Sequence, residues 1–450
     1  MEKRRDFIRK AAIATGGLAL SSHTFGFTKS SYKRIIGAND RIHVAIVGLN
    51  GRGGSMCTTF AKQPNCLVQM VCDVDSRTIP KVQKRVADAS KGDAPKGEGD
   101  VRRLLQNKDL DAIYIATPDH WHAPLTIMGV QAGKHVYVEK PLSHNPHEGE
   151  LAVEAARKYN KVVQMGAQRR SSPLAIQCVQ ELHDGIIGRV GFAKAWYTNN
   201  RKPLYLKPAP VPDWLNYELW QGPAPRQPYQ DGLIHYNWHW KWIYGTGEAL
   251  NNGTHEVDLA RWGLGVDLPT RVSSMGGRYQ YQDAWETPDT QIVTLEYPGR
   301  VMLMWENRSS NGKKIEGQER GVIFYGDKGS INTDGEEYQV YDLDGKLIKE
   351  VKKQGPVEDA SIQGRNTASP SLGMDSMHVA NFLEAIRDNK KPSCDVELGY
   401  KSVVAMQLGN ISWRVGRDLH LDPKNAHIQN DAEAQKLWSR TYQPGWAPKV

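Results

Sequence analysis

Glycine residues and one carboxylate near the start of the chain have the spacing of a nucleotide-binding site. The run Gly48-Leu49-Asn50-Gly51-Arg52-Gly53-Gly54 is followed by Asp73. The interval from Gly48 to Asp73 is close to the roughly 20 residues that separate a glycine turn from a ribose-binding acid. Glycine lets the backbone approach a pyrophosphate, and a carboxylate accepts hydrogen bonds from ribose hydroxyls.

These residues need a strand before the turn and a helix after it. Residues 41–47 predict a buried first strand, a helix begins near Ser55, and Leu67 to Cys72 predict the second strand. This order of elements predicts a dinucleotide site whose contacts are Gly48, Asn50, Gly51, Arg52, Gly53 and Asp73. Asn50 replaces the middle glycine of the pattern, and asparagine tolerates left-handed backbone angles. Asp73 would repel a 2′-phosphate, so we expect NAD, while nearby Arg77 leaves NADP as the alternative.

Two later strands end in short motifs. Asp111 to Pro118 runs into Asp119-His120-Trp121-His122, and His135 to Val138 runs into Glu139-Lys140-Pro141. T-P-x-x-x-H together with E-K-P resembles the Gfo/Idh/MocA oxidoreductases. The resemblance implies that Lys140 lies beside the nicotinamide and the substrate hydroxyl. It adds Thr117, Pro118, His122, Glu139 and Lys140 to the cofactor site, whereas His120 is interpreted as structural.

A third motif lies in the second half of the chain. Gly245 to Asp258, GTGEALNNGTHEVD, resembles the family's G-G-G-x-x-x-D-x-G-x-H-x-x-D. The match gives His255 the place of the family's active-site histidine. Asn251 stands four residues earlier, so one helical face can present both side chains. Because Asn251 replaces the motif's aspartate, a mechanism in which that acid orients or ionises the histidine is weakened.

The resemblance implies a reaction at a secondary hydroxyl of a sugar or sugar-like substrate. A base takes the hydroxyl proton while the C–H hydride goes to the nicotinamide. We assign His255 as the base and Lys140 as the group that polarises the oxygen, although the two roles can be exchanged. The substrate contacts are assigned to Asn251, Arg170, Tyr236 and Trp238.

Two other functions fit the same motifs. A NAD-using glycosidase oxidises a ring carbon transiently, eliminates the glycosidic bond and returns the hydride. A non-catalytic sugar-binding protein on the same scaffold is the second alternative, and the presence of both Lys140 and His255 argues against it.

The segment 214–244 is rich in aromatic residues, with nine Trp and Tyr side chains. Such rings stack on the C–H faces of sugars, and their polar atoms bind hydroxyls. Trp238, Trp240 and Trp242 alternate, which predicts one face of a strand. Seven prolines between residues 203 and 228 predict loops over the site. An aromatic domain or subunit interface is the alternative interpretation.

The pattern of elements predicts two different sheets. Strand–helix alternation up to about residue 165 predicts a doubly wound parallel sheet. The segments 189–199, 270–278, 290–297, 300–307 and 321–325 predict an open, mostly antiparallel sheet. We therefore divide the chain into an export signal and linker (1–34), a Rossmann domain (35–165) and an α+β domain with C-terminal helices (166–450). The resemblance implies that the second sheet also forms the contacts of a homo-oligomer.

The N-terminus predicts export. Arg4-Arg5-Asp6-Phe7-Ile8-Arg9-Lys10 resembles the twin-arginine motif, and an uncharged stretch from Ala11 to Thr28 follows. This route carries folded proteins, so we expect a periplasmic enzyme that acquires its cofactor before export. A basic, frayed N-terminus on a cytoplasmic enzyme is the alternative. No later segment reaches the roughly 20 apolar residues of a membrane helix.

The charge distribution argues against nucleic-acid binding. The net charge is +8, but residues 1–34 hold eight basic and two acidic residues, which leaves +2 for the rest of the chain. The five cysteines form no C-x-x-C pair. We interpret them as small buried hydrophobes, expect no metal site, and leave open a single disulfide.

Overall fold

The first sheet forms where buried apolar strands alternate with helices. In the computed structural model, which describes residues 41–353 and 371–450, its strands are β1 (Ile42–Val47), β2 (Cys66–Cys72), β3 (Lys96–Glu98), β4 (Ala112–Ile115), β5 (His135–Val138) and β6 (Val163–Met165). They lie in the order β3-β2-β1-β4-β5-β6 and are all parallel. The chain reverses its winding direction between β1 and β4, where sheets of this kind bind ligands at the carboxyl ends of the strands. The predicted doubly wound sheet is confirmed.

Helices cover both faces of this sheet and connect it to the second half of the chain. The helices are α1 (Arg52–Ala61), α2 (Thr78–Ser90), α3 (Val101–Leu104), α4 (Asp119–Gln131), α5 (Pro146–Lys158), α6 (Pro173–His183), α7 (Tyr217–Gln221), α8 (Gly247–Asn251), α9 (Gly253–Leu264), α10 (Leu372–Asp388), α11 (Val396–Val415) and α12 (Ala432–Gln435). Val379 and Phe382 of α10 pack in one apolar cluster with Val44 and Ile46 of β1. The C-terminal region therefore also covers the first sheet.

The second sheet is mixed and mostly antiparallel. Its strands are β7 (Val190–Thr198), β10 (Arg271–Gly277), β11 (Thr290–Tyr297), β12 (Val301–Arg308), β13 (Arg320–Gly326), β14 (Ser330–Thr333), β15 (Tyr338–Tyr341), β16 (Leu347–Val351) and β17 (Leu419–His420), while β8 (Lys207–Pro208) pairs separately with β9 (Gln230–Asp231). The order is β16-β15-β14-β13-β7-β12-β11-β10-β17, and β7 and β12 are parallel neighbours. Each of the five predicted strand segments corresponds to an observed strand.

Alternating side chains give this sheet one buried and one open face. Along β11, Val293 and Leu295 are buried, whereas Ile292 and Glu296 point to the other face. Helices α9 and α11 cover the buried face. One apolar cluster runs from Val47 of β1 through α11 to Val293, so the described residues from Ile42 onward form a single compact unit.

The prediction that Trp238, Trp240 and Trp242 share one face of a strand is wrong. Residues 237–240 form a 3₁₀ turn instead. The Trp238 indole N–H donates to the carbonyl of His235 at 2.7 Å, a local contact that favours the turn. Trp240 stacks on Trp285 with ring centroids 3.9 Å apart and is buried. The contact of Trp238 with the local backbone and the contact of Trp240 with Trp285 take the place of the partner strand that the prediction required.

Other features concern the described residues only. The five cysteines are unpaired, and all except Cys66 are buried. No helix within residues 41–353 and 371–450 is long and apolar enough to cross a membrane. No group of His, Cys, Asp and Glu in the same ranges is arranged to hold a metal ion. The twin-arginine segment lies outside the described residues.

Candidate active site

A cavity of about 350 Å³ opens at the carboxyl ends of β1, β4 and β5 and is closed by residues of the second half of the chain. Fourteen of the predicted site residues line it. They are Gly48, Asn50, Gly51, Arg52, Asp73, Thr117, Pro118, His122, Glu139, Lys140, Tyr236, Trp238, Asn251 and His255. Sequence motifs more than 100 residues apart therefore meet in one place.

The glycine turn presents backbone to the cavity at the start of α1. Gly51 precedes this helix with φ 48°, and a Cβ added there would meet no atom within 4 Å, so the space beside it is open. Gly53 does not line the cavity. A Cβ at Gly53 would stand 1.7 Å from the Gly48 carbonyl oxygen, so Gly53 lets the helix pack against the turn. An open turn at a helix N-terminus fits a pyrophosphate.

Asp73, predicted to bind the ribose, directly follows β2 and lines the same cavity as the glycine turn. One carboxylate oxygen accepts from Leu49 N–H at 2.6 Å and the other from Asp75 N–H at 2.9 Å. These bonds fix its orientation and leave lone pairs for ribose hydroxyls. Burial raises the pKa of Asp73, and the two backbone donors oppose this shift.

Thr117 and His122, two further residues of the predicted cofactor site, line the same cavity. The hydroxyl of Thr117 is buried in the cavity wall and has no hydrogen-bond partner among the described residues. Buried polar groups of this kind are normally satisfied by water or ligand. His122 lies between two cavity turns, with Nδ1 2.6 Å from the Pro141 carbonyl and Nε2 2.8 Å from the Thr117 carbonyl. It therefore joins the turn after β4 to the turn after β5.

Arg52 and Glu139 border the cavity but are engaged with each other. Arg52 Nε donates to Glu139 at 2.9 Å, and its two Nη atoms donate to Asp375 at 2.6 and 2.9 Å. Tyr114 donates a further bond of 2.9 Å to Glu139. This network joins α1, β5 and α10 behind the predicted cofactor site.

Lys140 extends from the end of β5 toward α8. Its Nζ donates to the backbone carbonyl of Asn251 and, at 3.1 Å, to the Asn251 side-chain oxygen. Burial lowers the pKa of Lys140, whereas the charges of Asp119 and Glu139 act in the opposite direction. Asp119 is buried and accepts from the Thr246 hydroxyl at 2.6 Å.

His255 lies in the first turn of α9 and is 7% exposed. Burial, together with the positive charges of Lys140 and Arg320, holds its pKa well below the usual range. The imidazole is therefore neutral near pH 7 and can accept a proton. Within the described chain, no hydrogen bond engages its ring nitrogens, so its proton-accepting atom is not committed to the protein.

Arg170, predicted to bind substrate, does not line the cavity. Its guanidinium makes bonds of 2.8 and 2.9 Å to the two carboxylate oxygens of Asp258, and both side chains are buried. The Ser402 hydroxyl also donates to Asp258 at 2.6 Å. The structure thus places Arg170 in the support of α9 rather than in the cavity.

His120 also supports the cavity without lining it. Its ring lies against the carbonyls of Trp220 and Tyr244 at 3.0 and 3.3 Å, and burial lowers its pKa to about 3. This agrees with its interpretation as a structural residue.

Several lining residues were not singled out by the sequence analysis. They are Asp119, Gln168, His235, His239, Asn252 and Arg320. Asp119 lies in the motif that begins at Thr117, and Asn252 lies in the motif from Gly245 to Asp258. Their positions in these motifs could have identified them as site residues. Arg320 belongs to no motif, and only the pairing of β13 with β7 brings it near α9.

The aromatic segment supplies part of the cavity wall. Trp238 and His239 stack with ring centroids 3.6 Å apart, and Tyr236 remains 42% exposed. The same segment is tied to the end of β2. Asn216 N–H donates to the Val74 carbonyl at 3.0 Å, and the His235 ring lies 2.8 Å from Asp75.

Curated relatives match at low identity. Over 214 residues the chain is 28% identical to a protein named glycosyl hydrolase family 109 protein from Saccharopolyspora erythraea, a match that covers 45% of this chain and 47% of that protein. The chain thus spans about half the length of this relative. Over 381 residues it is 22% identical to the uncharacterized oxidoreductase YrbE of Bacillus subtilis, covering 81% of this chain and 99% of YrbE.

Solved structures share the fold. A levoglucosan dehydrogenase in complex with NADH and levoglucosan superposes with a TM-score of 0.64 at 17% identity, covering 84% of this chain and 99% of the other. An aldose–aldose oxidoreductase from Caulobacter crescentus gives a TM-score of 0.63 at 18% identity, covering 85% of this chain and all of the other.

Family models match both halves of the chain. Residues 42–167 match the oxidoreductase family with an NAD-binding Rossmann fold, and residues 215–421 match the C-terminal alpha/beta domain of the same family. The first match contains the glycine turn, Asp73 and Lys140, and the second contains His255. With both of its characteristic domains present, the chain belongs to the Gfo/Idh/MocA oxidoreductase family.

Proposed function

We propose that this protein is an NAD-dependent oxidoreductase that transfers a hydride between a secondary hydroxyl of a sugar or glycoside and a retained nicotinamide cofactor. The observation that carries the proposal is the meeting of Lys140 and His255 in the cavity that the NAD-binding turn lines. Both side chains have a lowered pKa because both are buried. A proton acceptor and a hydrogen-bond donor to oxygen are the two groups that alcohol oxidation asks of a protein.

Each residue has a separate part in this reaction. His255, neutral at pH 7, takes the hydroxyl proton onto its free ring nitrogen. Lys140 donates a hydrogen bond to the substrate oxygen, and its two contacts with Asn251 fix the position of Nζ. When bound, NAD supplies the hydride acceptor. The aromatic wall of Tyr236 and Trp238 offers ring faces to the substrate's C–H groups.

A glycosidase that uses NAD is the second candidate. The observation that favours it is the match to family 109 glycosyl hydrolases over nearly half of the chain. In such a reaction the same residues begin the oxidation, after which the C–H bond next to the new carbonyl is acidified. Loss of this proton expels the glycosidic leaving group and forms a C=C bond beside the carbonyl. Water then adds to that double bond, and the hydride returns to the carbonyl carbon of the same sugar.

We extend the proposal to export and cofactor retention. The twin-arginine-like segment supports a periplasmic location, where a free nicotinamide pool is not expected. The contacts of Asn216 and His235 with the end of β2 support slow cofactor release, because they hold the second half of the chain over the Asp73 end of the cavity. Recovery of the mature protein only from the cytoplasm of its bacterium would contradict export.

We also propose that the open face of the second sheet joins two copies of the chain. Apolar side chains are exposed there: Met275 is 79%, Ile292 45%, Met302 39% and Tyr325 41% exposed. Phe192 pairs with Met302 on one side and with Tyr325 on the other, where the rings stack at 5.4 Å. A contiguous apolar face of this kind is typical of a protein contact surface.

Replacing Lys140 by methionine should reduce sugar oxidation by about 100-fold or more, because the donor to the substrate oxygen is lost. Binding of NADH, measured by fluorescence titration, should stay within about threefold of the wild-type value. His255→Ala should show a loss of similar size through the missing base. The rate is followed by the absorbance of bound NADH. A near-normal rate in either variant would show that the replaced residue is not needed for the reaction.

The two candidate reactions differ in what accumulates. A dehydrogenase mixed with a panel of sugars and nitrophenyl glycosides should reduce its bound cofactor and form a keto-sugar. A glycosidase should release nitrophenol without net NADH and should exchange deuterium from solvent into the product. Gel filtration after one turnover should leave the cofactor with the protein in both cases, as NADH in the dehydrogenase and as NAD in the glycosidase. NADH in the low-molecular-weight fraction would refute retention.

The preference for NAD should depend on two acids rather than one. Asp75 holds Arg77 through bonds of 2.8 and 3.0 Å, and the guanidinium lies 3.4 Å above the Trp214 ring, so Arg77 is already engaged by these two residues. Asp73→Ser alone should therefore bind NADPH only slightly better. Asp73→Ser/Asp75→Asn should gain on the order of tenfold, the value of one new charge-assisted bond.

Fluorescence titration with NADPH measures this gain. Adding Arg77→Ala to the double variant is the matched control and should cancel the gain. Equal NADPH affinities for the single and the double variant would show that Asp75 does not restrain Arg77.

Charges on the open sheet face should separate the two copies. Ile292→Lys/Met302→Lys should convert the dimer to a monomer in light scattering coupled to gel filtration, because two buried ammonium groups without partners are costly in an apolar contact. Leu343→Lys, a change of a 71% exposed residue in the turn after β15, is the control and should leave the mass unchanged. A wild-type protein that is monomeric at micromolar concentration would contradict the proposal.

A further inference from the structure

A buried carboxylate lies directly behind the two asparagines of the cavity. Glu248 is 1% exposed and does not line the cavity. One of its oxygens accepts from Arg201 Nε, and the other accepts from Asn252 Nδ2 at 2.5 Å and, more weakly, from Asn251 Nδ2 at 3.4 Å. Both asparagines line the cavity, so Glu248 is one residue removed from it.

This arrangement determines which way both amides face. An ionised carboxylate only accepts hydrogen bonds, so each asparagine must turn its NH₂ group toward Glu248. Each side-chain oxygen then faces a cation in the cavity wall. Asn251 Oδ1 accepts from Lys140 at 3.1 Å, and Asn252 Oδ1 accepts from Arg320 at 2.6 Å.

The carboxylate is itself held from behind. The Arg201 guanidinium lies 4.8 Å above the ring of Trp240, which stacks on Trp285. Arg278 lies 4.4 Å from the ring of Trp285 and is paired with Asp283. These contacts between cations and rings give the Glu248 side chain little freedom to move away from the asparagines.

We propose that Glu248 is a positioning residue for the proposed oxidoreductase reaction: through Asn251 and Asn252 it fixes the Lys140 ammonium and the Arg320 guanidinium in the cavity wall. It touches neither substrate nor cofactor. This role rests on the proposed function of Lys140, but its effect on Lys140 can be measured without any sugar.

The charge of Glu248 reaches Lys140 as well. Burial lowers the pKa of Lys140, and the negative charges of Asp119, Glu139 and Glu248 raise it, while Arg320 lowers it further. His255, on α9, is held neutral by burial and by the same cations. Removing the charge of Glu248 therefore destabilises the protonated amine and moves the titration of Lys140 to lower pH.

Competitive labelling with acetic anhydride at a series of pH values tests this directly. Mass spectrometry of the peptide that contains Lys140 gives the fraction labelled, and the midpoint of that fraction reports the titration of the amine. Glu248→Gln should move the midpoint down by about half a pH unit or more. Arg201→Met removes a positive charge from this network while the Glu248 side chain stays in place, and should move the midpoint up.

Opposite shifts distinguish positioning from simple damage to the fold, because a loosened structure would move both midpoints in the same direction. Glu181→Gln removes a carboxylate that pairs with Lys349 and does not line the cavity, so it is the matched control and should leave the midpoint unchanged. If Glu248→Gln does not fold, the upward shift in Arg201→Met still tests the proposal. Unchanged midpoints in both variants, or shifts of the same sign, would overturn it.

Activity gives an independent readout. Glu248→Gln should lower the rate of reduction of bound cofactor by roughly tenfold while NADH binding stays unchanged. If no sugar is oxidised by the wild-type protein, the proposed function fails, but the labelling result still decides the role of Glu248.

Discussion

The hydrogen bonds from Lys140 to Asn251 are the contact on which the site depends. Lys140 lies just beyond the end of a strand of the parallel sheet, and Asn251 ends a helix that belongs to the second half of the chain. A partly buried ammonium is costly unless its donors are used, so the end of β5 and the end of α8 must stay in contact. The cavity lies between these two elements. Lys140, to which we assign a part in the reaction, therefore also holds the two walls of the cavity together.

Burial adjusts the chemistry of both assigned groups in the same direction. Desolvation lowers the pKa of Lys140 and of His255, and the positive charge of Lys140 further disfavours protonation of the imidazole. The result is a neutral imidazole beside an amine that loses its proton more readily than in water. Because both pKa values are lowered, either residue can be proposed as the base. The hydrogen bonds to Asn251 hold the Lys140 amine in a fixed position, which favours Lys140 as the hydrogen-bond donor.

Local patterns predicted the parts of the molecule that local sequence determines. The turn that begins at Gly48 and the acid at Asp73 depend on strand, turn and helix chemistry within a short stretch. The structure places the turn after β1 and Asp73 after β2, and both line the cavity. The prediction that Trp238, Trp240 and Trp242 lie on a strand is wrong, because alternation of residue types does not show whether a partner strand is present. Arg170 pairs with Asp258, 88 residues away, instead of lining the cavity, and spacing in the sequence does not reveal this pairing. Arg320 and Glu248 likewise acquire their places only through strand pairing and helix packing.

The two candidate reactions share one site geometry because both begin with the same step. Removal of a hydroxyl proton and a hydride needs only His255, Lys140 and the cofactor. The later steps depend on the substrate: a leaving group on a carbon next to the acidified C–H bond permits elimination, and its absence leaves a keto-sugar. The cofactor retention that we propose suits both outcomes, because in each of them the hydride is returned before the next cycle begins. The site geometry therefore fits the hydride step that both proposed reactions share, and the substrate decides between dehydrogenase and glycosidase.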